Sequence, residues 1–260
     1  MKKNNFVVYT ALFGDYDDLL DPVSSADCDY ICFTDNPYLK SDIWKIKIVP
    51  ADASGKMMNR LYKIKPQVYL KNYQASLYVD SNIKISKDPI ELFKKYLNSY
   101  KILAIKHVDR SSIYSEALSC MASGYVDNNL ILKQMFYYAD DGYPANEALT
   151  ENRILFRSHN APEIISLMEL WWKELNAWVQ RDQLCLCYAA WKLGIKIGYI
   201  SENPRFKNDF FKWYPHKEYE KRIFYRLLRK LRYFGRWILI YPYFSYRIGI
   251  IGKVYFNKSS

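Results

Sequence analysis

No apolar run in this 260-residue chain reaches the ~20 residues that a membrane-spanning helix requires, so a bilayer-crossing segment is not expected. Internal repeats and low-complexity tracts are also lacking, which removes solenoids and disordered linkers from consideration. Cysteine is scarce and odd in number: Cys28, Cys32, Cys120, Cys185 and Cys187, mostly inside apolar runs. A disulfide framework is therefore not expected, and a reduced cytoplasm is. The apolar stretch from Phe6 to Thr10 is too short for a signal-peptide core, so export is not expected either. Histidine is scarcer still, with only His107, His159 and His216.

What is present is aromatic and basic. There are 25 Tyr, 7 Trp and 13 Phe, residues favoured in half-buried strands and in walls that stack sugar or base rings. The formal net charge of +11 arises entirely from Arg205 onward, where 14 Lys and Arg face 3 acidic residues. Residues 1–204 are electrically balanced, which argues against a nucleic-acid partner for the body. A neutral body, 1–204, thus precedes a basic carboxy-terminal extension, 205–260.

Strand patterns over Phe6–Thr10, Tyr30–Thr34, Ser76–Asp80, Lys101–Lys106, Arg153–Arg157 and Ile195–Ile200 alternate with helical ones. Trp44–Val49 alternates apolar and basic residues and reads as an edge strand. Helical spacing marks Gly55–Leu70, ended or kinked by Pro66, then Ile90–Tyr100, Tyr114–Ser123 and Leu130–Ala139. A longer helix opens at Pro162 with Ile164, Leu167, Met168, Trp171, Leu175 and Trp178 on one stripe, and Leu184–Leu193 is closed by Gly194. This alternation predicts an open α/β sheet, with the ligand site beyond the carboxyl ends of its strands.

Asp80-Ser81-Asn82 ends one of the buried strands. Two oxygen side chains two residues apart can both be offered to one hard divalent cation, Mg2+ or Mn2+, which shares its remaining positions between water and a diphosphate. The same pattern also makes ordinary turns in which the side chains cap local backbone, and spacing alone leaves both readings open.

Several ordered motifs carry a wider resemblance: Tyr9-Thr10-Ala11-Leu12-Phe13-Gly14-Asp15-Tyr16-Asp17, Arg60-Leu61-Tyr62-Lys63, Ser76 to Ile83, His107-Val108-Asp109-Arg110, Ile113 to Ala117, Gly142-Tyr143-Pro144, Arg157-Ser158-His159-Asn160, Trp171-Trp172 and Arg181-Asp182-Gln183-Leu184. Over roughly residues 6–200 the chain resembles the glycosyltransferase-like domain of bacterial surface-polysaccharide clusters and of plant mucilage and turgor-related proteins. The resemblance implies a GT-A-like fold: a Rossmann-type mixed sheet flanked by helices, with an Asp-x-Asp-like metal motif at Asp80 and Asn82. Ser81 stands where the family pattern leads one to expect Gly.

On that fold, Thr10, Phe13, Asp15 and Asp35 lie where a nucleotide base and ribose are held, and Arg60 and Lys63, one helical turn apart, reach toward the diphosphate. His216 becomes a third metal ligand. His107, Arg110, Arg157, Arg181 and Gln183 fall in motifs expected to meet sugar or acceptor. Asp182 is expected near the reacting carbon, as general base or as a partner orienting the sugar, with Glu116 and Glu151 in reserve; its structural alternative is a helix N-cap.

The tail places Ile223, Leu227, Leu231, Phe234 and Ile238 on one helical face, with Arg222, Arg226, Arg229, Lys230 and Arg236 mostly on others. Such a helix suits an anionic membrane surface, met through residues 217–245, or packs on the body or on a second copy in a homodimer. The expected function is metal-dependent transfer of a sugar from a nucleotide-diphosphate donor, a UDP-sugar first, to a surface-polysaccharide or lipid-linked glycan at the inner face of a bacterial plasma membrane. The alternatives are a non-catalytic nucleotide binder docked on the membrane by its tail, and a phosphosugar transferase.

Overall fold

The computed structural model describes residues 4–14, 16–50, 52–124, 126–217, 233–238, 240–244 and 246. The chain divides into two units, one formed by Met1–Ile105, Glu151–Trp172 and Ile195–Lys221, the other by Lys106–Thr150, Lys173–Gly194 and Arg222–Ser260.

In the first unit the alternating pattern becomes a seven-stranded sheet. Strands β1 (Phe6–Leu12), β2 (Cys28–Thr34) and β3 (Lys45–Ile48) are parallel neighbours, and β1 also pairs in parallel with β4 (Ala75–Val79). The order continues through β7 (Thr150–Arg157), β6 (Ile102–Lys106) and β8 (Gly198–Tyr199). Because β7 runs antiparallel to β4, the sheet is mixed, as the α/β reading expects. Nearly every residue of β1 and β4 is buried, which is why both read as apolar runs interrupted only by Thr10 and Ser76. The alternating β3 lies at the exposed edge. With β2 and β4 on opposite sides of β1, the winding reverses there, and ligands of such sheets lie beyond the carboxyl ends of the strands at that point.

A second, two-stranded sheet pairs β5 (Ile83–Ile85) antiparallel with β9 (Phe211–Trp213). Neither strand is anticipated from sequence, since three residues carry too little pattern.

Helix α1 (Gly55–Ile64) starts where the Ser54 hydroxyl accepts a hydrogen bond from the Met57 amide. It stops before Pro66, which opens the short α2 (Pro66–Tyr69). Helix α3 (Ile90–Tyr96) contributes Phe93, whose ring packs 4.7 Å from that of Phe6 and 5.1 Å from that of Phe156. Burying each such ring stabilises the unit by roughly 1.5–3 kcal/mol.

The second unit holds α4 (Ile113–Ser123) and α5 (Asn128–Asp140). Ser112 and Ser115 form a reciprocal cap on α4, and Asp127 caps α5. The long helix α6 (Pro162–Ala177) buries the expected stripe of Ile164, Leu167, Met168, Trp171 and Leu175, whereas Trp178 falls just past its end and donates to Glu174 at 3.1 Å. A 3-10 turn, Asp182–Leu184, leads into α7 (Leu186–Lys192), and Gly194 follows at φ +65°, the left-handed conformation expected of it. Tyr138 and Tyr188 stack at 3.6 Å between α5 and α7.

All five cysteines are free thiols. Among the described residues no helix is long and apolar enough to cross a membrane. In the tail, 233–238 and 240–244 are helical, with Phe234, Ile238, Tyr241 and Tyr243 exposed and Phe244 buried. The rest of the expected basic helix, residues 218–232, lies outside the described residues.

Candidate active site

The carboxyl ends of β1, β2 and β4 gather three loops in the first unit. After β1, Gly14 adopts φ +68° and donates its amide to the Asp35 carboxylate at 3.0 Å, tying the loop after β1 to the loop after β2. Phe13 turns inward and stacks on Tyr62 at 5.6 Å, with Phe33 and Tyr69 against the other parts of that ring at 4.4 and 4.3 Å. Of the expected nucleotide residues, Thr10 and Phe13 are therefore buried, Asp35 is engaged with Gly14, and Asp15 lies outside the described residues. Tyr69 is the exposed edge of this aromatic wall, a residue the sequence reading did not single out.

Helix α1 is fastened to β1 by Asn59, which donates to the Ala11 carbonyl at 2.5 Å and accepts from Arg60 at 2.8 Å. Lys63 sits one turn later. Its side chain is 4% exposed, and its ammonium lies 3.5 Å from an Asp80 carboxylate oxygen and 5.1 Å from the centre of the Tyr78 ring. Sequence placed Lys63 on a partly polar side; the fold turns it inward onto Asp80.

Asp80 follows β4 directly. Its amide donates to the Arg153 carbonyl at 2.8 Å, extending the β4–β7 ladder by one residue, and its own carbonyl accepts from Ile83, closing a turn. The Tyr78 hydroxyl donates to Asp80 Oδ1 at 2.8 Å; burial pushes the Tyr78 pKa well above the ordinary phenol range, and the Asp80 charge adds to that. The Asp80 side chain remains 33% exposed.

Asn82 begins the step into β5. Its backbone carbonyl accepts from the Tyr214 amide at 2.9 Å, so the β5–β9 pairing continues past Trp213 and carries the next residues beside the motif. Asn82 Nδ2 donates to the Tyr214 carbonyl at 2.9 Å and lies 3.4 Å from His216 Nε2. The other imidazole nitrogen, Nδ1, meets both oxygens of Asp17 at 2.7 and 3.0 Å. Asp17 Oδ2 also accepts from the Ser81 hydroxyl at 3.1 Å. Asp18 pairs with Lys217 at 2.8 Å, and the Tyr16 ring lies 4.8 Å from that of His216. The structure thus brings Asp80, Asn82 and His216 into one neighbourhood and adds Asp17, whose only sequence signal was its place in the first-loop motif.

Arg157 is elsewhere. Its side chain is fully buried on β7, with Nη2 donating to the Tyr9 hydroxyl and Nη1 3.3 Å from the Met168 sulfur. Burial lowers its pKa and raises that of Tyr9 to about 12. The Tyr9 hydroxyl in turn donates to the Lys63 carbonyl at 3.0 Å. Arg157, expected to touch substrate, instead holds the last turn of α1 from inside the core. His159 is likewise structural: it contacts the Leu70 carbonyl at 2.9 Å, and burial depresses its pKa to about 4. Glu151 pairs with Arg153 at 2.9 Å and Arg205 at 2.6 Å.

In the second unit, Glu116 is almost wholly buried and gathers the expected substrate residues around it. Arg181 donates to its Oε1 through Nε and Nη2 at 3.1 and 2.9 Å, and also donates to Gln183. Arg110 Nη1 lies 3.0 Å from Oε2, an ionic contact and not a directed hydrogen bond. Burial works against the Arg181 charge, but the Glu116 carboxylate more than offsets it and the Arg181 pKa rises. His107 Nδ1 accepts the Asp109 and Arg110 amides at 3.1 Å each, and Arg110 Nη1 stands 2.9 Å from its Nε2. Glu116 is thereby committed to two guanidinium groups. Asp182 is buried at the start of the 3-10 turn; the residue that caps α7 is Cys185, so Asp182 is not its N-cap.

A model of the TOD1/MUCI70 glycosyltransferase-like domain matches residues 40–217. The chain belongs to that family. The match on this TOD1/MUCI70 domain begins before β3 and ends one residue after His216, so it contains the whole Asp80-Ser81-Asn82 neighbourhood except the first loop. No curated protein matches the chain in sequence. Among solved structures, the galactosyltransferase LgtC, crystallised with donor and acceptor sugar analogues, is similar at 11% identity over 77% of this chain and 74% of that one, with a TM-score of 0.44. A likeness that loose transfers no residue's role. For the TOD1/MUCI70 domain the assignments therefore rest on its own geometry.

Proposed function

We propose that this glycosyltransferase-like domain is a divalent-metal-dependent glycosyltransferase that takes a nucleotide-diphosphate sugar, a UDP-sugar first, as donor. The observation that carries the reading is the joining of Asp80-Ser81-Asn82 to His216 by the β5–β9 pairing. The donor set fits Mn2+ or Mg2+: the Asp80 carboxylate is partly exposed, the Asn82 amide nitrogen is spent on the Tyr214 carbonyl so that Oδ1 is the atom offered, and His216 supplies an imidazole nitrogen. When bound, the cation supplies Lewis-acid neutralisation of the diphosphate leaving group.

The chain's own groups do the rest. Arg60 and Lys63 add positive charge on the α1 side of the motif, so the diphosphate is held as the bond from the anomeric carbon to its oxygen breaks. A new bond forms from that carbon to an acceptor hydroxyl oxygen, and the hydroxyl loses its proton. Asp182 is proposed to take that proton or to orient the sugar, and Arg110, Arg181, Gln183 and His107 to meet the acceptor, a surface-polysaccharide or lipid-linked glycan. The basic, aromatic tail is proposed to bring the enzyme to the anionic inner face of the membrane.

The test is a panel of nucleotide sugars with Mn2+ or Mg2+, read by thermal shift and by release of nucleoside diphosphate. A donor that stabilises the protein only with metal is expected, and Asp80→Ala is expected to lower turnover at least ~100-fold while remaining folded. Undiminished, metal-independent turnover in Asp80→Ala refutes the reading.

A further inference from the structure

Asp17 is a buried carboxylate in a loop, and a buried charge needs partners. Two come from parts of the chain that are far apart in sequence: the hydroxyl of Ser81, in the middle of the metal motif, and Nδ1 of His216, at the end of the segment that β9 delivers. We infer that Asp17 is a positioning residue that fixes the ring and the tautomer of His216, so that Nε2 presents its lone pair to the cation beside Asn82. The inference rests on the metal site proposed above.

The chemistry of the two ring nitrogens is specific. An ionised carboxylate only accepts, so the nitrogen it faces, Nδ1, must carry the proton. In the neutral ring Nε2 is then the acceptor. Its neighbour is Asn82 Nδ2, a donor at 3.4 Å, which calls for the same tautomer. These two contacts agree in favouring Nε2 as the unprotonated nitrogen before any metal arrives. Histidines that ligate metals commonly hold the other N–H on a carboxylate in this way, which sets ring orientation and raises the basicity of the ligating nitrogen.

Ser81 now acquires a reason. Its hydroxyl ties the motif turn to the same carboxylate that holds His216. One side chain thus sets the spacing between the two arms of the site, Asp80–Asn82 and His216. Asp18 makes a useful contrast: it joins the same loop to the same segment, but through the Lys217 ammonium at the surface, one residue past the imidazole.

The experiment reads two properties of the full-length protein. In metal-free protein, 15N–1H correlation spectra of the three histidines are expected to show His216 with Nδ1 protonated and Nε2 unprotonated, and Asp17→Ala is expected to lose that preference. Mn2+ affinity, measured from the electron paramagnetic resonance signal of the free ion, is expected to fall ~10–100-fold in Asp17→Ala and to stay at the wild-type value in Asp18→Ala. Should Asp17→Ala fail to fold, Asp17→Asn, which keeps the shape and a neutral acceptor, carries the test with a smaller expected loss. An unchanged tautomer and Mn2+ affinity in the Asp17 variants overturns the inference, and so does an equal loss in Asp18→Ala, which would make the loop a mere tether. If the wild-type protein binds no Mn2+ at all, it is the metal reading that fails, and the tautomer spectra then report a structural His216–Asp17 bond alone.

Discussion

Replacing Tyr9 by Phe removes one oxygen atom from the centre of the first unit, and its cost follows from what that oxygen holds. The hydroxyl accepts from the Arg157 guanidinium and donates to the Lys63 carbonyl, and both partners are buried. Phe fills the same space, so there is no cavity term. What remains is a buried carbonyl and a buried guanidinium N–H left without their partner. Each such group costs about 1–3 kcal/mol, more when charged, so Tyr9→Phe is expected to destabilise by about 3 kcal/mol. Arg157→Met alone is expected to cost less than that sum suggests, since it takes the buried charge away and leaves an apolar side chain of similar length beside Met168. In the double variant, Tyr9→Phe on the Arg157→Met background should cost about 1 kcal/mol, the share of the Lys63 carbonyl. Urea unfolding followed by far-ultraviolet circular dichroism measures all four proteins, and their coupling isolates the Arg157–Tyr9 bond. A loss below about 1 kcal/mol in Tyr9→Phe, or simple additivity of the two changes, refutes the claim that Arg157 acts through Tyr9 on α1.

Stability should also depend on pH through His159. Its folded pKa of about 4 lies below the ~6.5 of an unfolded histidine, so the unfolded chain binds the proton first and the stabilising contribution, complete above pH ~6.5, is lost as pH falls from there toward 4. The melting temperature should fall across that window, by more than in His159→Gln; parallel curves would remove His159 as the cause. For the tail, flotation with vesicles containing anionic lipid is expected to carry the wild-type protein upward, and reversing the charge of Arg222, Arg226 and Arg229 is expected to leave it at the bottom; flotation unaffected by those changes refutes docking through this segment.

The sheet was legible in the sequence because strands such as Phe6–Leu12 and Ala75–Val79 are buried on both faces and are apolar at nearly every position, while Lys45–Ile48 carries lysines because it is the largely exposed edge. Asp80 and Asn82 were legible for a related reason: polar side chains immediately after a buried strand stand out. Arg157 was misread because a motif records that a residue matters without recording which way it faces, and a guanidinium satisfied by a phenol gives no charged partner in sequence. Lys63 was read on a polar face since helical spacing knows nothing of Asp80. Asp17 was passed over because its partners are made by β5 and β9, strands of three residues whose pairing joins positions about 130 apart.

That pairing has a consequence for how the protein is made. A ribosome delivers Asp80, Ser81 and Asn82 long before it delivers Phe211–Trp213 and His216. Strands β1 to β4, neighbours in the larger sheet, are all delivered before the His216 segment is synthesised, so the turn Asp80-Ser81-Asn82 precedes its β9-side partners by about 130 residues. Premature termination just before Phe211 would release a polypeptide with all seven strands of the larger sheet and without the segment that carries His216. Among the described residues β9 is the last strand to arrive, and its pairing with β5 closes only once the chain has been made at least as far as Trp213.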